Sequence, residues 1–152
     1  MTMMRRKSRG FTLLEAVITL GILSSLLVLT VNRLPTRQHQ RNAETLFWQH
    51  FDTLWKRNVL IASTSGQRRD VVFSAINNDV QFSQHVQLGQ SVPVTRLTLP
   101  PTLHVLTDKK IIIYRNGHPQ LAKVLLSSTL DPQHQLKFNA LMGWGAYQVA
   151  PI

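Results

Sequence analysis

From Phe11 to Val31 the chain runs 21 residues with a single charge, Glu15. Few folds accept such a segment. As a helix rising about 1.5 Å per residue it would extend roughly 31 Å, close to the ~30 Å hydrocarbon thickness of a bilayer. A basic stretch, Arg5, Arg6, Lys7 and Arg9, stands directly before it, and Gly10 marks the junction.

Placement constrains the reading as much as length does. An ordinary secretory signal puts its apolar core ahead of a small-residue cleavage site and is lost when cut. Here the cleavable junction, Gly10-Phe11, precedes the apolar run, so processing would leave the run on the mature chain. A carboxylate inside a bilayer helix costs about 2.5–3.5 kcal/mol on insertion scales and is functional by default. Two readings of Glu15 follow: an acid snorkelling to water near the helix end, or a group that pairs with something specific.

The string Gly10-Phe11-Thr12-Leu13-Leu14-Glu15 after a basic leader resembles the class III signal of type IV pilins and pseudopilins. The resemblance implies that a prepilin peptidase cuts after Gly10 and that Phe11 becomes the N-methylated first residue. It also implies that Glu15, as fifth mature residue, pairs with the Phe11 amine of a neighbouring subunit during assembly. Such a pair would neutralise both groups in apolar surroundings, whereas Leu or Ala would make a cheaper anchor.

At 152 residues the chain fits one domain plus an anchor. Its 43% hydrophobic content is shared with the apolar run, and the remaining roughly 110 residues suffice for a modest core. Of the 17 Lys and Arg, the leader holds four, so cleavage would leave 13 basic against 7 acidic residues, a net charge of +6 rather than +10. Much of the basicity is therefore topogenic. Without cysteine the chain has neither disulfides nor thiolate metal ligands, which fits export from a single-membrane bacterium. Arg33, Arg37 and Arg41 follow the span closely, so charge bias alone orients it weakly. The resemblance implies leader inside and bulk outside: a single-pass membrane protein that later stands at the cell surface within a pilus.

Within the span, Gly21, Ser24 and Ser25 offer small side chains for close helix approach, or are simply tolerated there. Pro35 predicts a kink or short break at 32–36. Residues 40–62 read as an amphipathic helix, with Ala43, Phe47, Phe51, Leu54, Asn58 and Ile61 at steps of three or four and Leu46, Trp55 and Ala62 widening the stripe. Trp48 and Trp55 fit aromatic packing onto a sheet better than a ligand box. Ser63-Thr64-Ser65-Gly66 ends the helix.

From residue 70 the period shortens to that of strands. Strand-like runs occupy 70–75, 80–88, 94–99, 103–107, 111–115, 121–127, 135–141 and 144–149. The alternation slips around Ser83–His85, as at a bulge. Asn116-Gly117 is a hairpin signal, and Gly143-Trp144-Gly145 reads as a turn before the last strand. The expected fold is α+β: a long N-terminal helix, membrane-spanning in its first half, with an antiparallel sheet packed on its second half. The expected boundaries are a removed leader over 1–10, an assembly helix over 11–31, its amphipathic continuation over 32–66 and a β-rich head over 67–152.

No catalytic signature is present: no H-E-x-x-H, no P-loop, no G-x-S-x-G. The histidines at 39, 50, 85, 104, 118 and 134 lack ligand spacing, so neither metal nor cofactor is expected, and His118 reads as a turn residue. The pairs Lys56-Arg57, Arg68-Arg69 and Lys109-Lys110 carry phosphate-binding charge but are not interleaved with aromatics, which predicts little direct DNA binding.

Residues 111–119 followed by Leu121–Leu125 resemble the strand–turn–strand of ComGD-type competence pseudopilins. Those are minor subunits of the transformation pilus of low-GC Gram-positive bacteria, related to the GspH-like minor pseudopilins of type II secretion. The resemblance implies a non-enzymatic minor pilin needed for pilus assembly and DNA uptake. Its partners would be the prepilin peptidase, the membrane and the other major and minor pilins. The alternative is a GspH-like subunit of a secretion pseudopilus that moves protein cargo.

Overall fold

A computed structural model describes residues 13–85, 92–133 and 135–152, with the backbone alone over 28–36. One helix, α1 (Leu13–Ser65), is followed by eight strands among the described residues: β1 (Arg69–Ser74), β2 (Asp79–Gln84), β3 (Thr95–Thr98), β4 (Leu103–Val105), β5 (Lys109–Ile113), β6 (Ala122–Ser128), β7 (Gln135–Ala140) and β8 (Tyr147–Pro151). The residues group into two compact units, Met1–Gln38 and His39–Ile152.

The break expected at 32–36 is absent, since α1 is helical through Pro35. Proline deletes one backbone donor, and the intact i→i−4 bonds on either side carry the helix across. At the far end α1 stops as predicted, with Gly66 in the left-handed region at φ 65° just past Ser65. That position suits glycine because no Cβ opposes it.

Within the second unit α1 buries Phe47, Phe51, Trp55, Asn58, Val59 and Ala62. This stripe is rotated from the predicted one: Leu46 is 54% exposed, and Val59 is buried in its stead. The rings explain the shift. Phe51 lies 5.8 Å from both Phe73 and Phe82, and 5.4 and 5.5 Å from Phe138 and Tyr147, while stacking on Trp55 at 5.7 Å. Whichever helix face carries the largest aromatics captures the sheets, because burial gain scales with apolar area. Truncating a ring so placed typically costs about 3–5 kcal/mol.

The strands form two four-stranded antiparallel sheets rather than one, ordered β3-β2-β1-β5 and β4-β6-β7-β8. Alternation directs Val71, Phe73, Val80, Phe82, Ile111 and Ile113 of the first sheet into the core, with Leu103, Val105, Val124, Leu126, Phe138 and Ala140 of the second. The chain changes sheet between β3 and β4, between β4 and β5, and between β5 and β6. Asn78, at φ 48° in the β1–β2 turn, ties the sheets together: its Nδ2 donates to Leu103 O (2.8 Å) and its Oδ1 accepts from Val105 N (3.1 Å). One side chain thus acts as a strand neighbour for β4.

Two further expectations are corrected. No bulge occurs at Ser83, because β1 and β2 pair in unbroken register from Ser74↔Asp79 to Arg69↔Gln84. Val86 and Leu88, which suggested the slip, lie outside the described residues. Asn116-Gly117 does make a tight turn, with Gly117 N donating to Tyr114 O and Tyr114 N to His118 O, both 2.9 Å. The hairpin runs through the Ile113↔Pro119 bridge to one last bond, from Gln120 N to Ile112 O (2.7 Å), after which β5 and β6 part to different sheets. The last strand begins at Tyr147, three residues later than predicted, and Trp144 stays in the preceding turn.

Candidate assembly segment and head surfaces

Gly10 and Phe11 lie outside the described residues. Glu15 sits in the first described turn of α1 and is exposed, as are all residues from Leu13 to Leu27. Among these, Leu13, Leu14, Leu20 and Leu27 leave 85, 71, 70 and 62% of their surface uncovered. A helix apolar on every side is a buried helix in its working state. Its polar side chains already look inward: Thr19 Oγ1 donates to Glu15 O (2.8 Å), Ser24 Oγ to Leu20 O (2.7 Å) and Ser25 Oγ to Ile22 O (2.8 Å). Those back-bonds leave the hydroxyls without need of water. Among the described residues no helix is long and apolar enough to cross a membrane. Residues 11–12 and the side chains of 28–31, which complete the expected span, are not among them.

On the head the charged residues pair within their own fold. Asp70, nearly buried on β1, accepts from Lys110 Nζ (2.7 Å) and from His85 Nδ1 (2.8 Å). Arg69 Nε donates to Oδ1 of buried Asn58 (2.8 Å), which itself donates to Leu54 O. Burial lowers the Arg69 pKa, nearby Arg57 lowers it further, and Asp70 partly opposes both. Asp52 accepts from Lys56 Nζ (2.7 Å) and from Tyr147 Oη (3.0 Å). The lysine holds that carboxyl below its ordinary value, against the opposing effect of burial, while burial and the bond to Asp52 push the Tyr147 phenol up. Of each predicted basic pair, one member is therefore tied to structure. Arg68 lies 5.7 Å above the Tyr114 ring beside Arg115, an aromatic–basic contact that the linear sequence hid.

His85–Asp70 is the nearest approach to a catalytic dyad. No described nucleophile is bonded to the other ring nitrogen of His85, and Lys110 engages the same carboxylate. The His118 ring bonds to the neighbouring Asn116 O (3.2 Å), as that of a turn residue would. Trp55 is packing rather than a ligand box: it is fully buried, and its Nε1 donates to Gly145 O (2.9 Å). Sequence reasoning missed Asp70, Asp52 and Asn78. Only Asp70 carried a hint, as an acid among strand residues.

The described chain is a pilin-like α+β fold, a long helix followed by antiparallel sheets. Residues 5–31 match the prokaryotic N-terminal methylation motif. Among solved structures the fold is similar to that of the minor pseudopilin EpsH from the type 2 secretion system of Vibrio cholerae. That likeness has a TM-score of 0.53 at 15% identity and covers 71% of this chain and 96% of that one. No curated protein sequence matches the chain.

Proposed function

We propose that this protein is a minor pilin of a competence type IV pilus, needed for pilus assembly and for DNA uptake in transformation. The observation that carries the reading is the methylation motif over residues 5–31, continuing into a helix start whose apolar residues are uncovered on every side. Prepilin peptidase removes residues 1–10, Phe11 becomes the methylated terminus, and residues 11–31 hold the chain in the membrane with its head outside. On assembly that segment exchanges lipid for neighbouring pilin helices, and Glu15 neutralises the Phe11 amine of the next subunit. Residues 32–66 continue the helix, and 67–152 form the head. The subunit is structural rather than enzymatic.

A second reading, a subunit of a type II-like secretion pseudopilus, is favoured by the likeness of the fold to EpsH. Gene neighbours separate the two: a competence operon with a DNA channel, or a secretin-bearing cluster. The processing step is tested by mass spectrometry of protein extracted from membranes of cells with active prepilin peptidase. A methylated chain beginning at Phe11 is expected, and Gly10→Val should block its formation. A wild-type chain still beginning at Met1 in such cells would overturn the proposal.

A further inference from the structure

Three strands of the first sheet end side by side: β1 begins at Arg69, opposite Gln84 of β2 and Ile113 of β5. One position beyond that shared end stand His85, Arg68 and Tyr114, with Arg115 next in the chain. Backbone bonds fix the row, since His85 N donates to Arg68 O and Tyr114 N to His118 O, both 2.9 Å. A polar hollow of about 390 Å³ opens there, lined by Gly66, Gln67, Arg68, Gln84, His85 and Arg115. No carboxylate lines it, and neither guanidinium forms an ion pair among the described residues. The Arg68 guanidinium is steadied 5.7 Å over the Tyr114 ring. Buried Asp70 meets His85 Nδ1 with both oxygens (2.8 and 3.1 Å) and also accepts from Lys110 Nζ (2.7 Å). The Nδ1 proton therefore goes to Asp70, and Nε2 is the ring nitrogen left for the hollow.

Each group narrows the occupant. Two guanidinium forks call for an oxyanion, which they bind through paired N–H bonds. The charged groups facing His85 among the described residues are Asp70, with Lys110 upon it, and Arg68 and Arg115 in the hollow. Asp70 and Lys110 offset each other, so the two guanidinium charges remain, matching a dianion. His85 then selects among oxyanions. Neutral, its Nε2 is an acceptor; protonated, it is a donor. A phosphate monoester suits both states, because its second ionisation lies near pH 6 and one proton is shared between Nε2 and a phosphate oxygen. A diester or a carboxylate has no such proton near neutral pH, and each offers only two terminal oxygens to two forks. The carbonyl end of α1, which stops beside Gly66, opposes any anion, and charge-assisted bonds from both forks outweigh that dipole. We infer that this hollow binds a phosphate monoester through Arg68 and Arg115, with His85 sharing its acidic proton. The chemistry of the site stands apart from the proposed function.

The experiment titrates the full ¹⁵N-labelled chain in detergent micelles with methyl phosphate at about pH 6.5, near the second ionisation of the ester. Side-chain nitrogen signals of Arg68, Arg115 and His85 should shift together and saturate. Dimethyl phosphate, the matching diester, should bind roughly tenfold more weakly, the loss expected for one charge-assisted bond. Arg68→Gln/Arg115→Gln should weaken methyl phosphate by at least that factor. Arg115→Lys keeps the charge and the fold but not the fork, and it should weaken binding as well. Lys109→Gln/Lys123→Gln removes as much charge elsewhere on the head and should bind like the wild type. Inorganic phosphate should displace methyl phosphate. Tetrathymidylate with a 5′-phosphate should compete, and the same oligonucleotide without it should not, which separates a terminal phosphate from a nucleic-acid backbone. Equal binding of the two esters, equal competition by the two oligonucleotides, an equal loss in the lysine variant, wild-type binding by Arg115→Lys, or no shift at millimolar methyl phosphate would overturn the inference. If the mature chain begins at Phe11 yet methyl phosphate does not bind, this inference alone fails. If it binds yet the chain begins at Met1, the proposed function fails instead.

Discussion

Tyr147 and Asp52 meet across 95 positions of sequence and join β8 to α1. Burial, reinforced by that bond, raises the Tyr147 pKa above its ordinary value near 10, so the folded state retains the phenolic proton longer than the unfolded chain does. The resulting stability is complete below about pH 10 and is lost as pH rises toward the folded value. Denaturation midpoints of the wild type should therefore fall above about pH 10, and Tyr147→Phe should flatten that fall. An equal decline in both proteins would remove the pair from the stability of the head. Asp52 acts at the opposite end of the scale, since its lowered pKa adds stability above the ordinary carboxylate range that fades in acid. Neither residue was legible in the sequence, where Asp52 read as the polar face of a helix and Tyr147 as one residue of a strand. Glycines were more legible. Gly117 was read as a turn residue, and it has φ 78°, in the left-handed region, with Trp144 Nε1 packed where a Cβ would stand. That turn chemistry is local, whereas the partner of a polar side chain is set by tertiary approach.

At the scale of elements, α1 was legible in outline because period and caps are local. Its stripe was misjudged at Leu46 and Val59 because the deciding contacts come from Phe73, Phe82 and Phe138 on strands far along the chain. All eight strands were found, with ends displaced by up to four residues among the described ones, but their division into two sheets was not. That division depends on where pairing stops, after Gln120 and around Asn78, and hydrophobic alternation does not encode it. The first turns of α1 carry the sharpest prediction. Glu15 stands among exposed leucines, a surface that the proposed function covers with membrane or neighbouring helices. Glu15→Leu should insert at least as well as the wild type, since a group costing about 2.5–3.5 kcal/mol leaves the bilayer. It should nevertheless be depleted from sheared filaments, and its crosslinks to the major pilin should be lost. Undiminished incorporation would return Glu15 to the snorkelling explanation.

For the whole molecule the open division is between building a filament and touching DNA. Removal of residues 1–10 would leave a modest net charge of +6, and three of the cations are engaged within the second unit: Arg69 with Asn58, Lys110 with Asp70, and Lys56 with Asp52. What remains for a nucleic-acid backbone near the end of α1 is Arg68 on Tyr114 with Arg115 beside it, two cations and one half-exposed ring. Affinity for phosphate grows with the number of contacts and falls steeply with salt, so a site this small adds little on one subunit. The full chain in detergent should therefore bind duplex DNA only in the non-specific range, roughly 10⁻⁴–10⁻⁶ M at physiological salt. Neutralising Arg69 or Lys110 would confuse the test, because each holds a buried polar partner whose exposure would destabilise the head. Arg68→Gln/Arg115→Gln avoids that difficulty, since neither guanidinium forms an ion pair among the described residues. Deleting the protein should abolish pili and transformation together, while the double variant should keep both near wild-type levels. Should that variant make normal pili yet fail to capture DNA, the aromatic–basic contact of Arg68, Tyr114 and Arg115 would be a receptor in its own right.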